Sequence, residues 1–335
     1  MIPPSPPLVS VIIPTFNRAS MLEEALVSVQ RQTVQHVELI VVDDGSSDQT
    51  AAVVKRCAPG AIYLRQEHRG VAAARNAGIQ QARAAYVAFL DSDDLWLPHK
   101  LERQLEYLLA HPEVGLLYAR MWSYHVDDRM KRRLEPRTVL RSFEQLLNGP
   151  NTVTTSTVIV RRTCLDTVGL FNPTLPAVED HELWLRVARR FAIGFLDEPV
   201  AEYRRHSKST TSDLARLHEG YRRYYEIILE LYRDDLGNAR ATERSLAKLE
   251  YLCGTAALRR GKTRSALALI SRGLSRDLLL GGGFATPQTP WNTRLWLPIK
   301  PYLALLVSLG RVTAASMTRQ RVAPPPTVPT SAEPS

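Results

Sequence analysis

Two short acidic clusters stand out for their setting as much as for their charge. Val37–Val42 runs through mostly apolar residues straight into Asp43-Asp44-Gly45, and Tyr86–Leu90 runs likewise into Asp91-Ser92-Asp93-Asp94. Carboxylates gathered in one place repel one another unless a cation or a hydroxyl-bearing ligand sits among them. A divalent metal carrying a diphosphate meets both conditions. Taken singly, each cluster reads equally as a turn, since Asp-Gly and Ser-Asp are common turn dipeptides. Their joint occurrence favours a site.

For the two clusters to meet, their strands must end on one edge of a sheet. The pattern predicts a strand over Val9–Ile13, then a helix to about Gln32 opened by a Ser20/Glu23 capping box. It continues with the strand Val37–Val42, a helix over Ser47–Cys57, a strand Ile62–Arg65, a helix over Val71–Ala82, and the strand Tyr86–Leu90. A further helix opens with Pro98 at its first position and runs to Ala110. Alternating elements with nearly continuous apolar strands indicate a parallel sheet covered by helices on both faces, an α/β fold. In such a sheet the carboxyl ends of the strands share the crevice where ligands bind. No GxGxxG follows the first strand, which disfavours a dinucleotide cofactor bound in the Rossmann manner.

Further along, Val114–Arg120 and the Thr-rich Val153–Val160 read as strands, and Glu179–Arg190 as a helix with the stripe Leu183, Val187, Phe191. Ala192–Leu196 and Val200–Tyr203 read as two short strands, and Leu214–Tyr232, 241–260 and 263–276 as helices. Gly281–Gly283 reads as a hinge. The expected organisation is a flexible stretch 1–7, an α/β domain 8–212, a helical region 213–320 and a disordered Pro-rich tail 321–335. Within the domain, residues 8–110 form one half and 111–212 the other.

The 335 residues and 44% apolar content suffice for a packed core and exclude global disorder. The formal charge of +9 is concentrated in residues 211–335, which hold 18 basic against 10 acidic side chains. That excess fits a membrane surface or an anionic partner; nucleic acid is disfavoured, because no aromatic residues interleave the basic clusters. Cys57, Cys164 and Cys253 lack metal-ligand or disulfide spacing, which fits a reducing cytoplasm. The N-terminus lacks the basic segment of a signal peptide, and nothing reaches the roughly 20 apolar residues of a spanning helix.

The blocks VSVIIPTFNR (9–18), VELIVVDDGSSDQT (37–50), GVAAARNAGI (70–79), VAFLDSDDLWLPHKLE (87–102) and EDHELWLRVA (179–188) resemble, in order and spacing, the family 2 glycosyltransferases with a GT-A fold. The resemblance covers residues 8–206, leaving the helical region 213–320 as a C-terminal appendage, and implies a Rossmann-like, mixed but mainly parallel sheet with helices on both faces. It implies inverting transfer of a sugar from a nucleotide diphosphate donor, most commonly a UDP-sugar, to a glycan or lipid-linked acceptor, with Mg²⁺ or Mn²⁺ as cofactor. Pro14, Thr15 and Asn17 then line the nucleotide pocket, and Asp43 or Asp44 holds the base and ribose. Arg75 and Asn76 lie on the donor-side helix, where Arg75 either bonds the donor or pairs with a strand-end Asp; Gly70 and Gly78 allow close backbone approach. Asp91-Ser92-Asp93 matches the DxD motif, with Asp93 ligating the metal, Asp91 reaching the ribose or a metal-bound water, and Asp94 orienting the loop.

The resemblance further implies Asp180, beside Glu179, as the general base. Without it, two acids in a first helical turn read as complements of the helix dipole. Trp184, one turn on, is expected either to floor the acceptor site or to belong to the core. In the segment Tyr203–Thr210, His206 is expected near the metal and Arg204 near the phosphates.

Two other readings are compatible with parts of the sequence. An apolar strand followed by DxD also resembles the nucleophile loop of haloacid-dehalogenase-like phosphatases, but leaves Val37–Asp44 unexplained. A non-catalytic nucleotide-sugar-binding protein is the other. The apolar, aromatic stretch Leu295–Leu309, with basic neighbours Arg294, Lys300 and Arg311, reads equally as a membrane-interface segment or as a packed one.

Overall fold

Apolar runs that terminate in carboxylates become the centre of the sheet. A computed structural model of the chain describes residues 6–148, 152–207, 209 and 213–232, with 247, 250, 254 and 267–273 beyond them. The chain divides into two compact units, Met1–Leu236 and Gly237–Ser335. In the second unit the described residues are helical, Ala247 and Ile270 are buried, and Arg272 faces Glu250 at 3.9 Å. The expected hinge, the 295–309 segment and the Pro-rich tail, together with most of the helices 241–260 and 263–276, lie outside the described residues. So do residues 1–5 of the expected flexible N-terminus.

In the first unit, β1 (Val9–Thr15), α1 (Ala19–Gln30), β2 (Val37–Asp43), α2 (Thr50–Cys57), β3 (Ile62–Arg65), α3 (Val71–Gln81) and β4 (Tyr86–Phe89) follow in order. β3, β2, β1 and β4 are neighbours in that order and all parallel. The first of the expected corrections lies at α1. Its first backbone N–H, on Ala19, donates to Asp48 Oδ2 at 2.9 Å, and no capping box forms. The second lies at α4 (Lys100–Ala110), whose N-cap is His99, so that Pro98 precedes the helix.

Beyond β4 the sheet reverses. β5 (Leu95–Trp96), β6 (Val114–His125), β7 (Asp128–Glu135), β8 (Ile159–Arg161) and β9 (Ala192–Arg205) complete it, in the order β3-β2-β1-β4-β8-β6-β9-β5, with β7 against β6. β8 runs antiparallel to both β4 and β6, and β9 runs parallel to β6. The two short strands expected at 192–203 are thus one long strand. The expected strand Val153–Val160 is only β8 and a preceding 3₁₀ turn, Thr155–Thr157. After β6 the chain turns back as the β6–β7 hairpin and then forms α5 (Phe143–Asn148).

α6 (Arg162–Val168), α7 (Glu179–Ala188) and α8 (Leu214–Leu231) finish the unit. Asp213 caps α8, its side chain accepting from the N–H groups of Ala215 and Arg216 at 3.1 Å. Tyr224 and Ile228 bury α8 in the same apolar core as Phe171, Leu183 and Trp184. The boundary expected at 212 therefore falls later: α8 belongs to the α/β unit because its apolar face packs there.

α3 approaches β1 closely enough that a Cβ on Gly78 would meet Ile12 Cγ2 at 2.5 Å. This glycine serves helix–sheet packing, not the approach of a ligand. Gly78→Ala, although favourable for helix propensity by up to about 1 kcal/mol, is expected to destabilise the protein by about 1–3 kcal/mol through overpacking. Chemical denaturation reads the change, and because Ile12→Ala removes the Cγ2 that the new methyl meets, the double variant should lose less than the sum of the two single losses. An unchanged midpoint in Gly78→Ala would show that the contact yields freely.

Candidate functional site

The carboxyl ends of β1, β2 and β4 face α7 across a cleft of about 540 Å³. Pro14, Thr15, Asp44, Arg75, Asp91, Ser92 and Asp93 line it, together with Glu179 and Asp180 at the start of α7. The two acidic strand ends do converge, through Asp44, Asp91 and Asp93.

Arg75 spans the site from α3. Its side chain is buried, donating from Nη1 to Glu179 Oε1 and from Nη2 to Asp91 Oδ1, both at 2.6 Å. Removing a guanidinium from water is costly unless it is paired, and here two carboxylates from distant segments supply the pairing. Burial works against the charge on Arg75, yet Asp91 and Glu179 outweigh it and hold the proton more tightly than in free arginine. The arrangement matches the pairing role expected for Arg75, and one end of the pair is Glu179.

Asp93 sits at a second cationic junction. Arg18 Nη1 lies 2.8 Å from its Oδ2, and His206 Nε2 lies 3.0 Å from the same oxygen. Burial pushes the Asp93 carboxyl up, but the His206 hydrogen bond and the Arg18 charge prevail and hold it below the ordinary aspartate range. Its neighbour Asp94 is buried with Oδ2 accepting from Ser156 Oγ at 2.6 Å and Oδ1 from the Arg204 N–H at 3.1 Å. Burial, reinforced by the charges of Asp93 and Asp91, pushes Asp94 well above its usual value. Asp94 thus fastens the loop, as expected.

Asp180 presents its carboxylate from the first turn of α7. Oδ2 accepts from Thr155 Oγ1 at 2.8 Å and Oδ1 from the His181 N–H at 2.7 Å. Burial raises its pKa, against the Arg75 charge and the Thr155 hydrogen bond; Glu179 is raised in the same way. Immediately before the helix, Val178 adopts φ +59°, a left-handed conformation that is strained for a β-branched residue. The strain lies at the residue that aims the two acids into the cleft.

Several expected site residues have other partners. Asn17, at φ +52°, accepts from the Ser47 N–H at 2.8 Å and is exposed, locking the two strand-exit loops together. Asp43 accepts from Tyr63 Oη at 2.5 Å and from the Ser46 N–H at 2.8 Å. Asn76 exchanges two 2.9 Å hydrogen bonds with the backbone of Phe171. Trp184 is fully buried between Phe89 and Phe171, so it belongs to the core and offers no face to an acceptor. Arg204 is buried, bound to the Asp93 carbonyl and to Glu24, and its place on the cleft wall is taken by Arg205. Asp44, which does line the cleft, also accepts from the Arg69 and Gly70 N–H groups at 2.9 Å, which fixes the entry to α3. Gly70 has φ +89°, a conformation that favours glycine.

Other residues at or beside the cleft carry weaker sequence signals. Phe16 and His68 stack with ring centroids 4.1 Å apart on the cleft wall beside Asp44. Arg18 ends the first quoted block but suggests no role on its own. Thr155 and Ser156 lie in a Thr-rich run whose β-branched residues imitate a strand.

Comparison with known proteins gives this geometry its context. The family described as "Glycosyl transferase family 2" matches residues 10–166. The β-1,3-glucosyltransferase WfgD of Escherichia coli, whose name gives UDP-Glc as donor and α-D-GlcNAc-diphosphoundecaprenol as acceptor, is 32% identical over 187 residues, covering 54% of this chain and 70% of its own. Among solved structures, S. aureus TarS 1-349 with UDP-GlcNAc superposes with a TM-score of 0.59 at 20% identity over 80% of this chain and 81% of its own. The mannosyltransferase PcManGT from Pyrobaculum calidifontis, with GDP-Man and Mn²⁺, does so with a TM-score of 0.53 at 22% identity over 91% and 88%. The sheet and its covering helices are those of the GT-A fold, and the chain belongs to the family 2 glycosyltransferases.

Proposed function

We propose that this glycosyltransferase moves a sugar from a UDP-sugar to a hydroxyl of a glycan or lipid-linked acceptor, with inversion at the anomeric carbon. The observation that carries the reading is that Asp93 and Asp180 line one cleft, with Arg75 bound to a neighbour of each. Family membership removes the phosphatase alternative. The donor class follows that of WfgD and of the TarS complex, and the lipid-linked acceptor follows that of WfgD. The cytoplasm, at the inner membrane face where the acceptor is lipid-linked, is the compartment that the cysteine pattern favours. Among the described residues no helix is long and apolar enough to cross a membrane.

A divalent cation fits at Asp93. Asp93 Oδ2 and His206 Nε2 lie 3.0 Å apart, close enough for both to reach one ion, and the Arg18 guanidinium, 2.8 Å from the same oxygen, would give up that contact to it. Mg²⁺ and Mn²⁺ ordinarily take one or two protein ligands there and complete their shell with substrate phosphates and water. Among the described residues no three His, Cys, Asp or Glu side chains are grouped so as to hold a metal ion by themselves; Asp93 and His206 are the pair assigned to it. When bound, the ion offsets the negative charge that gathers on the departing diphosphate.

The chain's own residues do the rest. Asp91, with Oδ1 held by Arg75, offers Oδ2 to a ribose hydroxyl, and Pro14, Thr15 and Ser92 line the nucleotide's path. Asp180 takes the acceptor's proton as its oxygen bonds to the anomeric carbon, while the bond to the diphosphate breaks and the diphosphate leaves with the electron pair. Thr155 and the His181 N–H hold the Asp180 carboxylate in place for that transfer.

Two outcomes are expected. Asp93→Ala should lower turnover by at least about 100-fold, the order seen when one group that stabilises transition-state charge is lost, and nucleoside diphosphate release reads it; wild-type turnover would remove the assignment. A general base acts only when deprotonated, and burial raises the Asp180 pKa. The acid limb of kcat/KM should therefore fall at a higher pH than the value of about 3.9 for a free aspartate. An acid limb at or below the free value would contradict the environment described for Asp180.

A further inference from the structure

The 3₁₀ turn Thr155–Thr157 touches both halves of the site. All three residues are buried, and each of the first two directs its hydroxyl to a carboxylate on a different element. Thr155 Oγ1 donates to Asp180 Oδ2 at 2.8 Å, on α7. Ser156 Oγ donates to Asp94 Oδ2 at 2.6 Å and accepts from the Asp91 N–H at 3.2 Å, in the loop after β4. Thr157, by contrast, closes its own turn, donating to the Thr154 carbonyl at 2.8 Å. Consecutive residues thus bind the loop that carries Asp93 and the side chain assigned as base.

The turn is itself held from behind. Trp96 Nε1 donates to the Ser156 carbonyl and Gln104 Nε2 to the Thr157 carbonyl, both at 2.8 Å. Gln104 is fixed in turn by Lys100 Nζ, which donates to its Oε1 at 2.7 Å and lies 4.0 Å from the centroid of the Trp96 ring. Lys100 is fully buried, and that burial depresses its pKa well below the ordinary lysine value. A buried amine backed onto an indole and an amide leaves the Gln104 amide one orientation, with its NH₂ toward the turn. The carbonyls of residues 156 and 157 are therefore fixed from α4 and β5, and the hydroxyls of 155 and 156 point the other way.

We infer that the turn is a brace setting the separation of donor and base: Ser156 positions the Asp91–Asp94 loop, and Thr155 positions Asp180. Neither hydroxyl takes part in bond making, so both are positioning residues. The inference rests on the reading of Asp93 and Asp180 given above. Its two halves act differently on the kinetic constants. Ser156 acts on the donor loop and so on nucleotide binding as well as on turnover, whereas Thr155 acts on the base and so on turnover alone. A misplacement of about 1 Å is enough to cost on the order of 100-fold in rate.

The test is hydrolysis of a nucleotide sugar to water, which needs no acceptor, together with calorimetric binding of UDP in MnCl₂, or of GDP where the wild type prefers it. Thr155→Val should lower kcat by about 10- to 100-fold while donor KM and nucleotide affinity stay within about twofold, and Thr155→Ser should restore most of the loss. Ser156→Ala should weaken nucleotide binding and raise donor KM by about tenfold, the scale of one hydrogen bond to a charged group. If both variants instead change kcat and KM together in one proportion, with Thr155→Ser no better than Thr155→Val, the turn is merely part of the core and the inference falls. Wild-type turnover in Asp180→Asn would remove the base reading and the Thr155 half with it, leaving the Ser156 half to be judged on nucleotide binding alone.

Discussion

The buried guanidinium of Arg75, 2.6 Å from both Asp91 and Glu179, is the interaction on which the site depends. Arg75 lies on α3, Asp91 in the loop after β4, and Glu179 at the start of α7, so one side chain joins three segments far apart in sequence. Two carboxylates at that depth repel each other and resist burial. With the cation between them they become an attraction, and the fork of the guanidinium sets the angle at which they meet. Breaking such a buried pair costs about 3–5 kcal/mol, because the partners are left charged and unpaired.

The sheet explains why that cation has something to join. β1, β2 and β4 are parallel and bring their carboxyl ends to one edge, which gathers Thr15, Asp44 and Asp91–Asp93. β8 then enters antiparallel to β4, so the residues just before it, Thr155–Thr157, arrive at the same edge as the residues just after β4. α7 faces them across the cleft, its entry bent by the left-handed Val178. α8 closes the base side by packing on the segment before α7: a Cβ on Gly220 would meet the Ala177 carbonyl at 2.7 Å, and Arg216 donates to the Pro176 carbonyl at 2.6 Å. Parallel strands thus deliver the strand-end carboxylates, and the antiparallel entry of β8 delivers the turn that binds both Asp94 and Asp180.

Much of this is legible in the sequence where the signal is local. An apolar run ending in carboxylates marks a strand end in a parallel sheet, so Asp44, Asp91 and Asp93 can be found by pattern. Glu179 and Asp180 cannot, because acids in a first helical turn also serve the helix dipole; only their place in the ordered blocks singles them out. Where reading failed, the deciding partner was distant. Asn76 looks like a donor ligand beside Arg75, yet it bonds a backbone 95 positions away. Arg204 fits its expected role by position but is buried, and burial depends on packing that no spacing reveals; the same packing decides Trp184 for the core, one of its two expected places. Thr155 and Ser156 were hidden by residue type: a Thr-rich run has the composition of a strand, whereas here its hydroxyls bind carboxylates.

The central claim is that one forked cation holds donor loop and base helix together, and Arg75→Lys tests it most directly. Lysine keeps the charge but has no planar fork with which to reach two carboxylates at once. The account predicts a folded protein whose turnover of a nucleotide sugar falls by about 100-fold, the scale of a site loosened by an ångström. Wild-type kcat and donor KM in a folded Arg75→Lys protein would show that charge alone suffices and that the bridge does not set the geometry of the site.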